Sequence, residues 1–574
     1  MMNIADWVSE FFLKQEIERV FLYPGGTIAP LVNACLEKGI SAEVFKNEQG
    51  AVYAALAYSR VSGKPQVAMV TSGPGVTNAM TPIADAYYDS TPLVLISGQI
   101  GTADLKTRKA VRQRGFQEVP TVSMTKPITK RSLCMSAPED VFNDIPAAFQ
   151  LAVSDRPGPV VIDFPMDIQR IEIAHLADDE PIKPSSSRDS SRLIEDSRLS
   201  QIVAAASAAR RPVILLGQGA LMAGAFQDYT DIAAMMDARV VTSLLGIGSY
   251  DTTNDRWLGY VGHTGHLAAN RAVYECDFLL ALGTRLDVRQ TGTLVDEFVP
   301  NGQVAWINSD LDELTNPRVK TDWSIHADVA SFCLAFTNQF ECRSRSIDPD
   351  WAVSLSNLRN EYPEDRPGED LDAIQPRPVL QALSSRMNNG QPLTVVTGVG
   401  CHQHWAARHL AYGPEYCRLL TSGGHGTMGY DLPSAIGAAM AEPNRRVLCV
   451  VGDGSFLMNI QEMAALRERD LDVKILVFNN GRLGIVSQFQ LITWGTDPTT
   501  GSFGVPDLVT ISSGFGIPAK QLDQPDDVDQ KLDWLWAQKG PALLNILIDP
   551  TADVVPMLLA GQTMGEMWMG RGPK

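Results

Sequence analysis

Short, unbroken apolar runs alternate along this chain with longer stretches in which apolar residues return every third or fourth position. The runs Val67 to Val70, Leu93 to Ile96, Val160 to Ile162, Val213 to Leu216, Phe278 to Leu282, Val395 to Val396, Val447 to Val451 and Leu543 to Ile548 carry no polar alternation. That is the pattern of parallel strands buried on both faces. The N-terminus opens on an amphipathic helical pattern, with Ile4, Trp7, Val8, Phe11 and Phe12 on one face. Near the other end, Val447 to Val451 and Val473 to Phe478 flank Asn459 to Arg469, where Ile460, Met463 and Ala464 follow helical spacing, so the unit reads strand, glycine turn, helix, strand. Two soft regions interrupt the alternation, a Ser- and charge-rich one from Pro184 to Ser200 and another from about Ser344 to Pro378. The expected fold is α/β, with three doubly wound domains of mostly parallel sheet at residues 1–178, 196–342 and 376–550, and a tail at 551–574.

Composition narrows the partners. The 574 residues are 45% hydrophobic and 20% charged, enough for three or four ordinary domains. A net charge of -18 argues against nucleic acid or an anionic membrane surface as the main partner, so anionic substrates would need locally placed cations. The eight cysteines are scattered without a C-x-x-C pair, which indicates neither a zinc site nor a disulfide framework and fits a reducing cytoplasm. No apolar run reaches the roughly 18 residues of a membrane span, and the amphipathic start does not read as a signal or transit segment.

The turn Gly452-Asp453-Gly454-Ser455, followed after a helix-length spacer by Asn479-Asn480, carries the chemistry. Glycines after a parallel strand let the backbone approach a phosphate closely. A diphosphate there needs a divalent cation, and Mg²⁺ takes hard oxygen ligands. Asp453, Asn480 and the carbonyl of Arg482 can supply three of them.

With that unit in place, the chain resembles the thiamine diphosphate enzymes, and specifically the acetolactate synthase family, along nearly its whole length. The matching residues in the first block include Tyr23-Pro24-Gly25-Gly26, Asn47-Glu48-Gln49-Gly50-Ala51, Thr71-Ser72-Gly73-Pro74-Gly75-Val76-Thr77-Asn78, Phe116-Gln117-Glu118 and Arg156-Pro157-Gly158-Pro159. In the third they include Gly400, His402-Gln403, Ser422-Gly423-Gly424 and Gly426-Thr427-Met428-Gly429. The resemblance implies Glu48 as the carboxylate against the cofactor's pyrimidine, with Thr71, Pro74 and Asn78 around it. It implies Gly400, Cys401, His402, Gln403, Gly452, Asp453, Gly454, Ser455, Asn480, Arg482, Leu483 and Gly484 about the diphosphate and metal. Gly426 would offer its carbonyl to the exocyclic amine, and Met428 would hold the bent cofactor conformation. In the family, one subunit grips the pyrimidine and another the diphosphate, so a homodimer or homotetramer with its active site at the subunit interface is implied.

The middle block is similar to the family's FAD-binding domain through Gly217-Gln218-Gly219, Gly262, His263 and Gly265, and Gly283 to Arg289. FAD contacts are implied for these glycines and His263, for Gln218, for Arg285, Asp287 and Arg289, and for Arg156, Thr242, Leu245, Asp310 and Asp328. Two arginines after the strand Phe278 to Leu282 could fork a flavin diphosphate or a carboxylate.

The implied reaction decarboxylates pyruvate and joins the two-carbon unit to a second 2-oxoacid, as small-molecule donor and carbonyl acceptor. Glu48 would activate the cofactor, while Gly26, Phe116 and Gln117 face the reacting centre and Arg289 holds an acceptor carboxylate. Met166, His425, Val486 and Phe489 are the other expected substrate neighbours, and three of them depart from the family pattern: Met166 where a Lys is usual, Phe489 in place of a Trp, and His425 in place of an apolar residue. Thr102 to Lys106 with Val111-Arg112-Gln113 is similar to relatives that pass the unit to a keto sugar nucleotide or another ketone, so that acceptor stays open. A pyruvate-oxidase type of flavin oxidoreductase is the reading from another class. A regulatory subunit is neither implied nor excluded.

Overall fold

The computed structural model describes residues 2–106, 111–173, 194–340, 347–361, 370, 372–387, 391–500 and 503–570. Every apolar run singled out above is a strand. Gln66–Val70, Leu93–Gln99, Pro159–Pro165, Pro212–Leu216, Phe278–Leu282 and Leu393–Thr397 are buried along their entire length, which is why their sequences run apolar without alternating.

The strands form three six-stranded sheets in which every pairing is parallel. The first runs Ser41–Val44, Arg19–Leu22, Gln66–Val70, Leu93–Gln99, Pro159–Pro165, Arg131–Cys134. The third repeats that order with Cys417–Thr421, Leu393–Thr397, Arg446–Gly452, Val473–Asn479, Ala542–Leu547, Ala519–Leu522. The middle sheet winds differently, as Trp257–Tyr260, Arg239–Thr242, Pro212–Leu216, Phe278–Leu282, Gln303–Asn308, Trp323–His326. In an open parallel sheet, ligands collect beyond the carboxyl ends of the strands where the winding reverses. That point lies between Arg19–Leu22 and Gln66–Val70 in the first sheet, between Pro212–Leu216 and Phe278–Leu282 in the middle one, and between Leu393–Thr397 and Arg446–Gly452 in the third.

The first and third domains share one apolar core. The Glu48–Ser62 helix packs on the Asp431–Ala441 helix, and small residues let the two approach: a Cβ at Gly437 would lie 2.1 Å from the carbonyl oxygen of Ala54. Among the described residues no helix is long and apolar enough to cross a membrane.

Three expectations change. The helix expected over Asn459 to Arg469 begins at Glu462, because Asn459 turns the chain after the short Asp453–Met458 helix and its amide is taken by Gly429 and Gln49. The soft region from Ser344 to Pro378 contains the helix Pro349–Glu361, whose Trp351, Ala352 and Leu355 are buried, and the start of Pro376–Met387. Of the linker Pro184 to Ser200, residues 184–193 lie outside the described residues and its end already belongs to the Asp196–Ala208 helix. Within the described part of the tail, Met557, Leu558, Met564 and Met567 are buried against the middle and third domains.

Candidate active site

At the first sheet's switch point, the chain leaves Arg19–Leu22 through Tyr23 to Thr27 and leaves Gln66–Val70 through Thr71 to Gly73. The two turns are tied together by Thr27 Oγ1, which lies 2.9 Å from Thr71 Oγ1 and accepts the Ser72 N–H at 3.1 Å. Gly25 must lack a side chain, since a Cβ would meet Thr71 at 2.3 Å, whereas one at Gly26 would meet nothing within 4 Å. Glu48 opens its helix behind the cap Asn47, is only 6% exposed, and accepts a hydrogen bond from Asn78 Nδ2 at 2.9 Å. Asn78 belongs to the Pro74–Tyr88 helix. The first block's candidates Glu48, Thr71, Pro74 and Asn78 therefore gather at one sheet end. Gln117 joins them with its backbone against Gly73, held in a left-handed conformation (φ 64°), while Phe116 beside it is 85% exposed. Buried Glu118 pins this turn by accepting the N–H groups of Arg114 and Gly115.

The third sheet's switch point carries the glycine turn. Asp453 is buried, and its two carboxylate oxygens take the N–H groups of Gly454 and Gly481, each at 2.7 Å. Burial pushes this carboxyl up to about 6 against those two donors. Asn480 faces the same turn and accepts the Arg482 N–H at 3.1 Å, while the Arg482 guanidinium is drawn away to Pro550, Ser487 and Asp497. Among the described residues no group of three or more His, Cys, Asp or Glu could hold a metal ion. A cation at Asp453 would thus draw its remaining ligands from amide, carbonyl, phosphate and water oxygens, the set that suits Mg²⁺.

The glycines about the Asp453 turn allow side chains to pack close against the backbone. A Cβ at Gly452 would meet His402 Nδ1 at 2.9 Å, one at Gly454 would meet Leu483 at 2.6 Å and Met428 at 3.4 Å, and one at Gly484 would meet Asn480 at 2.7 Å and Cys401 Sγ at 3.0 Å. Those contacts bring together Gly400 to His402, Met428, the Asp453 turn and Asn480 to Gly484. His402 is oriented by Asp431, 3.2 Å from its Nε2, and Asp431 also accepts from Ser455 Oγ and the Gly398 N–H. Gln403 is turned the other way, donating to Thr421 Oγ1 and the Ser422 carbonyl. Asp431 escaped the sequence reading; its one signal there is an acidic residue opening an Ala-rich helix.

At the middle switch point lies a cavity of about 840 Å³ walled by all three domains. Its lining takes in Arg156, Gln218, Gly219, Leu245, His263 and Gly283, then Arg285, Asp287, Arg289 and Asp328, and it reaches Gln403 and Gly426. Gly217, Thr242, Gly262, Gly265 and Asp310 are not among its lining residues; a Cβ at Gly217 would strike the Gly283 carbonyl at 2.3 Å, and one at Gly262 the Arg289 carbonyl at 2.1 Å. The two arginines differ. Arg285 is paired with Asp287 at 3.0 Å, whereas Arg289 is exposed beside the cavity. Arg156 spends its donors on Ser90, Asp310 and Glu313, joining the first domain to the middle one. Buried His404 was not foreseen; its Nδ1 lies 3.0 Å from Thr264 Oγ1 and 3.3 Å from the Tyr260 hydroxyl, and burial holds it well below the usual histidine range, so it is neutral.

The expected substrate neighbours are more dispersed. Val486 and Phe489 are exposed on the Gly484–Trp494 helix, where Phe489 packs edge-on to Trp494. His425 is exposed and stacks on Tyr88. Met166, half-buried, opens a short helix whose Asp167 holds Thr102; residues 107–110, between Lys106 and Val111, lie outside the described residues.

Comparison with known proteins agrees with this layout. Residues 2–124 match the family model of the thiamine pyrophosphate enzyme N-terminal TPP binding domain, 199–336 the central domain, and 398–546 the C-terminal TPP binding domain. The chain is 35% identical over 573 residues to the acetolactate synthase isozyme 2 large subunit of Escherichia coli, covering 99% of each protein. It is 34% identical to the acetolactate synthase large subunit of Lactococcus lactis, over 96% of this chain and 93% of that one. Similarity to the mitochondrial acetolactate synthase catalytic subunit of Saccharomyces cerevisiae is 32%, over 97% and 82%.

Proposed function

The chain belongs to the acetolactate synthase family of thiamine pyrophosphate enzymes, and from that premise we propose that it decarboxylates pyruvate and condenses the two-carbon unit with a second pyruvate to give acetolactate. The observation that carries the reading is a buried Glu48 at one switch point together with a buried Asp453, held by two backbone N–H groups, at another. Bound thiamine diphosphate supplies an acidic ring carbon and an electron sink, which is what lets a 2-oxoacid lose CO₂.

The protein's own part is placement and proton handling. Glu48, oriented by Asn78, would hold and pass a proton at the pyrimidine ring nitrogen. Asp453, Asn480 and the Arg482 carbonyl would hold Mg²⁺ against the diphosphate. Met428, leaning over Gly454, would hold the cofactor bent. Arg289, the cavity arginine without an ion pair among the described residues, is the candidate for the acceptor carboxylate.

FAD is proposed for the 840 Å³ cavity, whose size, glycine-rich floor and Arg285–Asp287 rim suit a dinucleotide. A homodimer or homotetramer is proposed as the working unit. Among the described residues no hydrogen bond joins Glu48 to the Asp453 turn, and Phe116, Val486, Phe489 and Trp494 are large apolar side chains left open to solvent.

The test uses purified protein with pyruvate. CO₂ release and acetolactate formation should require added thiamine diphosphate and Mg²⁺. Parallel assays with 2-oxobutyrate, aldehydes and keto sugars fix the acceptor preference. Rapid anaerobic bleaching of a bound flavin by pyruvate would overturn the reading in favour of an oxidase.

A further inference from the structure

The loop from Gly423 to Met428 belongs to the third domain but is held by the first. Asp85 and Asp89 lie on the Pro74–Tyr88 helix and at its C-terminal cap. Asp85 Oδ2 accepts a hydrogen bond from Ser422 Oγ at 2.6 Å, and Ser422 Oγ in turn accepts the N–H groups of Gly426 at 3.1 Å and Thr427 at 2.9 Å. The Asp89 carboxylate takes the Gly423 and Gly424 N–H groups at 2.9 and 2.6 Å. Arg60, from the Glu48–Ser62 helix, donates to the Thr421 carbonyl and stands 4.0 Å from Asp89. Asp85, Asp89 and Ser422 are all buried.

This network decides which way one carbonyl points. The C=O of Gly426 and the N–H of Thr427 share a single planar trans peptide unit, so they face opposite ways. Ser422 takes the Thr427 N–H from the buried side. The Gly426 carbonyl is therefore turned outward, where Gly426 is exposed, left-handed (φ 74°) and meets nothing within 4 Å of its Cβ position. A hydroxyl that accepts two N–H groups needs its own proton directed elsewhere, and Asp85 receives it; such chains of hydrogen bonds reinforce one another.

We propose that Asp85 and Ser422 are positioning residues: Asp85, from the domain opposite, orients the Ser422 hydroxyl, and Ser422 fixes the direction of the Gly426 carbonyl that would hold the cofactor's exocyclic amine. The assignment rests on the reading above that this loop faces thiamine diphosphate. Its expense supports it. Burial, and then Asp89 one turn along, push the Asp85 carboxyl up to about 7 against Ser422 and Arg60, and its Oδ1 is buried without a hydrogen-bond partner among the described residues. A carboxylate so placed costs the interface stability, and such costs gather where a group serves placement.

The test is deuterium exchange at the cofactor's reactive ring carbon, in protein loaded with thiamine diphosphate and Mg²⁺, for wild type, Asp85→Asn, Ser422→Ala and Ser422→Thr. Ser422→Ala and Asp85→Asn should slow exchange by about tenfold or more, the equivalent of one well-placed hydrogen bond. Ser422→Thr, which keeps the hydroxyl, should stay within about threefold of wild type. Cofactor affinity, titrated by protein fluorescence, should fall less than the exchange rate, because the grip of Asp453 and Asn480 is untouched. Exchange at the wild-type rate in Ser422→Ala overturns the assignment. Should Asp85→Asn not fold, the Ala and Thr variants at Ser422 decide by themselves. Wild type that binds the cofactor without exchange, or does not bind it, refutes the reading of the site itself and takes this assignment with it.

Discussion

Glu48 and Glu462 sit on either side of one turn, and each is held by a different set of partners. Glu462, from the third domain, accepts the Lys46 N–H with both oxygens, at 3.2 and 3.1 Å, and so fixes the turn from which Glu48 projects. Gly50 makes this possible, since a Cβ there would lie 2.3 Å from Glu462 Oε1. Burial raises the Glu462 carboxyl from 4.5 to about 7 against the Lys46 and Asn47 N–H groups. A folded-state pKa above the unfolded one stabilises the fold below the unfolded value, and that stability is lost as pH rises through about 7. Glu462→Gln should therefore gain on wild type as pH rises, by on the order of 2–3 kcal/mol between about pH 5 and about pH 8 in urea denaturation. A difference independent of pH would contradict the burial argument. At Glu48 the expectation concerns rate: Glu48→Gln keeps the shape but not the proton, and should lower kcat by about 10²–10⁴ with thiamine diphosphate still bound. A kcat equal to wild type would remove Glu48 from its proposed role. Glu48 was legible in the sequence through Asn47-Glu48-Gln49-Gly50. Glu462 was not, because a lone Glu in a charge-rich helical stretch reads as a solvated face, and only the packing of a distant domain buries it.

The strands were the most legible elements, since burial on both faces leaves a continuous apolar run in the sequence. Helices lying on one domain and capped by another were less so. Pro349–Glu361 hides its apolar side in Trp351, Ala352 and Leu355 among charges, and the break at Asn459 depends on hydrogen bonds to Gly429 and Gln49 that lie 30 and 410 residues away. The tail shows the same limit, because its order comes from partners and not from a period. Arg408 donates to the carbonyls of Val555 and Pro556 and to that of Thr264; Gln488 exchanges two hydrogen bonds with Val554; and Leu558 does the same with His263, its N–H donating to the His263 carbonyl at 2.7 Å and its own carbonyl accepting from Nδ1 at 2.6 Å. The tail thus straps the loop at Gly262 to Gly265, beside the large cavity, to the helix that carries Val486 and Phe489. Leu558→Ala, at a side chain 2% exposed, should lower stability by about 2–4 kcal/mol in equilibrium unfolding and weaken retention of the proposed FAD on gel filtration. Unchanged stability would mean that the tail is only laid on the surface.

At the scale of the whole molecule, three sheets place three candidate sites at their switch points, and the question is which of them combine in one active centre. The first and third domains of one chain are locked together by reciprocal clasps, Glu462 on the Glu48 turn and Asp85 with Asp89 on the Gly426 loop. Yet Glu48 and Asp453 are each satisfied separately, by Asn78 and by Gly454 with Gly481. If a second subunit completes the centre, Glu48 of one chain works with Asp453 of the other. Mixing tests this directly. Glu48→Gln and Asp453→Asn homodimers should each be nearly inactive. After subunit exchange about half the dimers are mixed, and each mixed dimer pairs the two defects in one site while leaving the other site intact, so about a quarter of wild-type sites should return. Were each centre built within a single chain, every chain in the mixture would still carry one defect, and no activity would return on mixing. Recovery near a quarter, measured as acetolactate formed per mole of protein after exchange, assigns the working site to the interface between subunits.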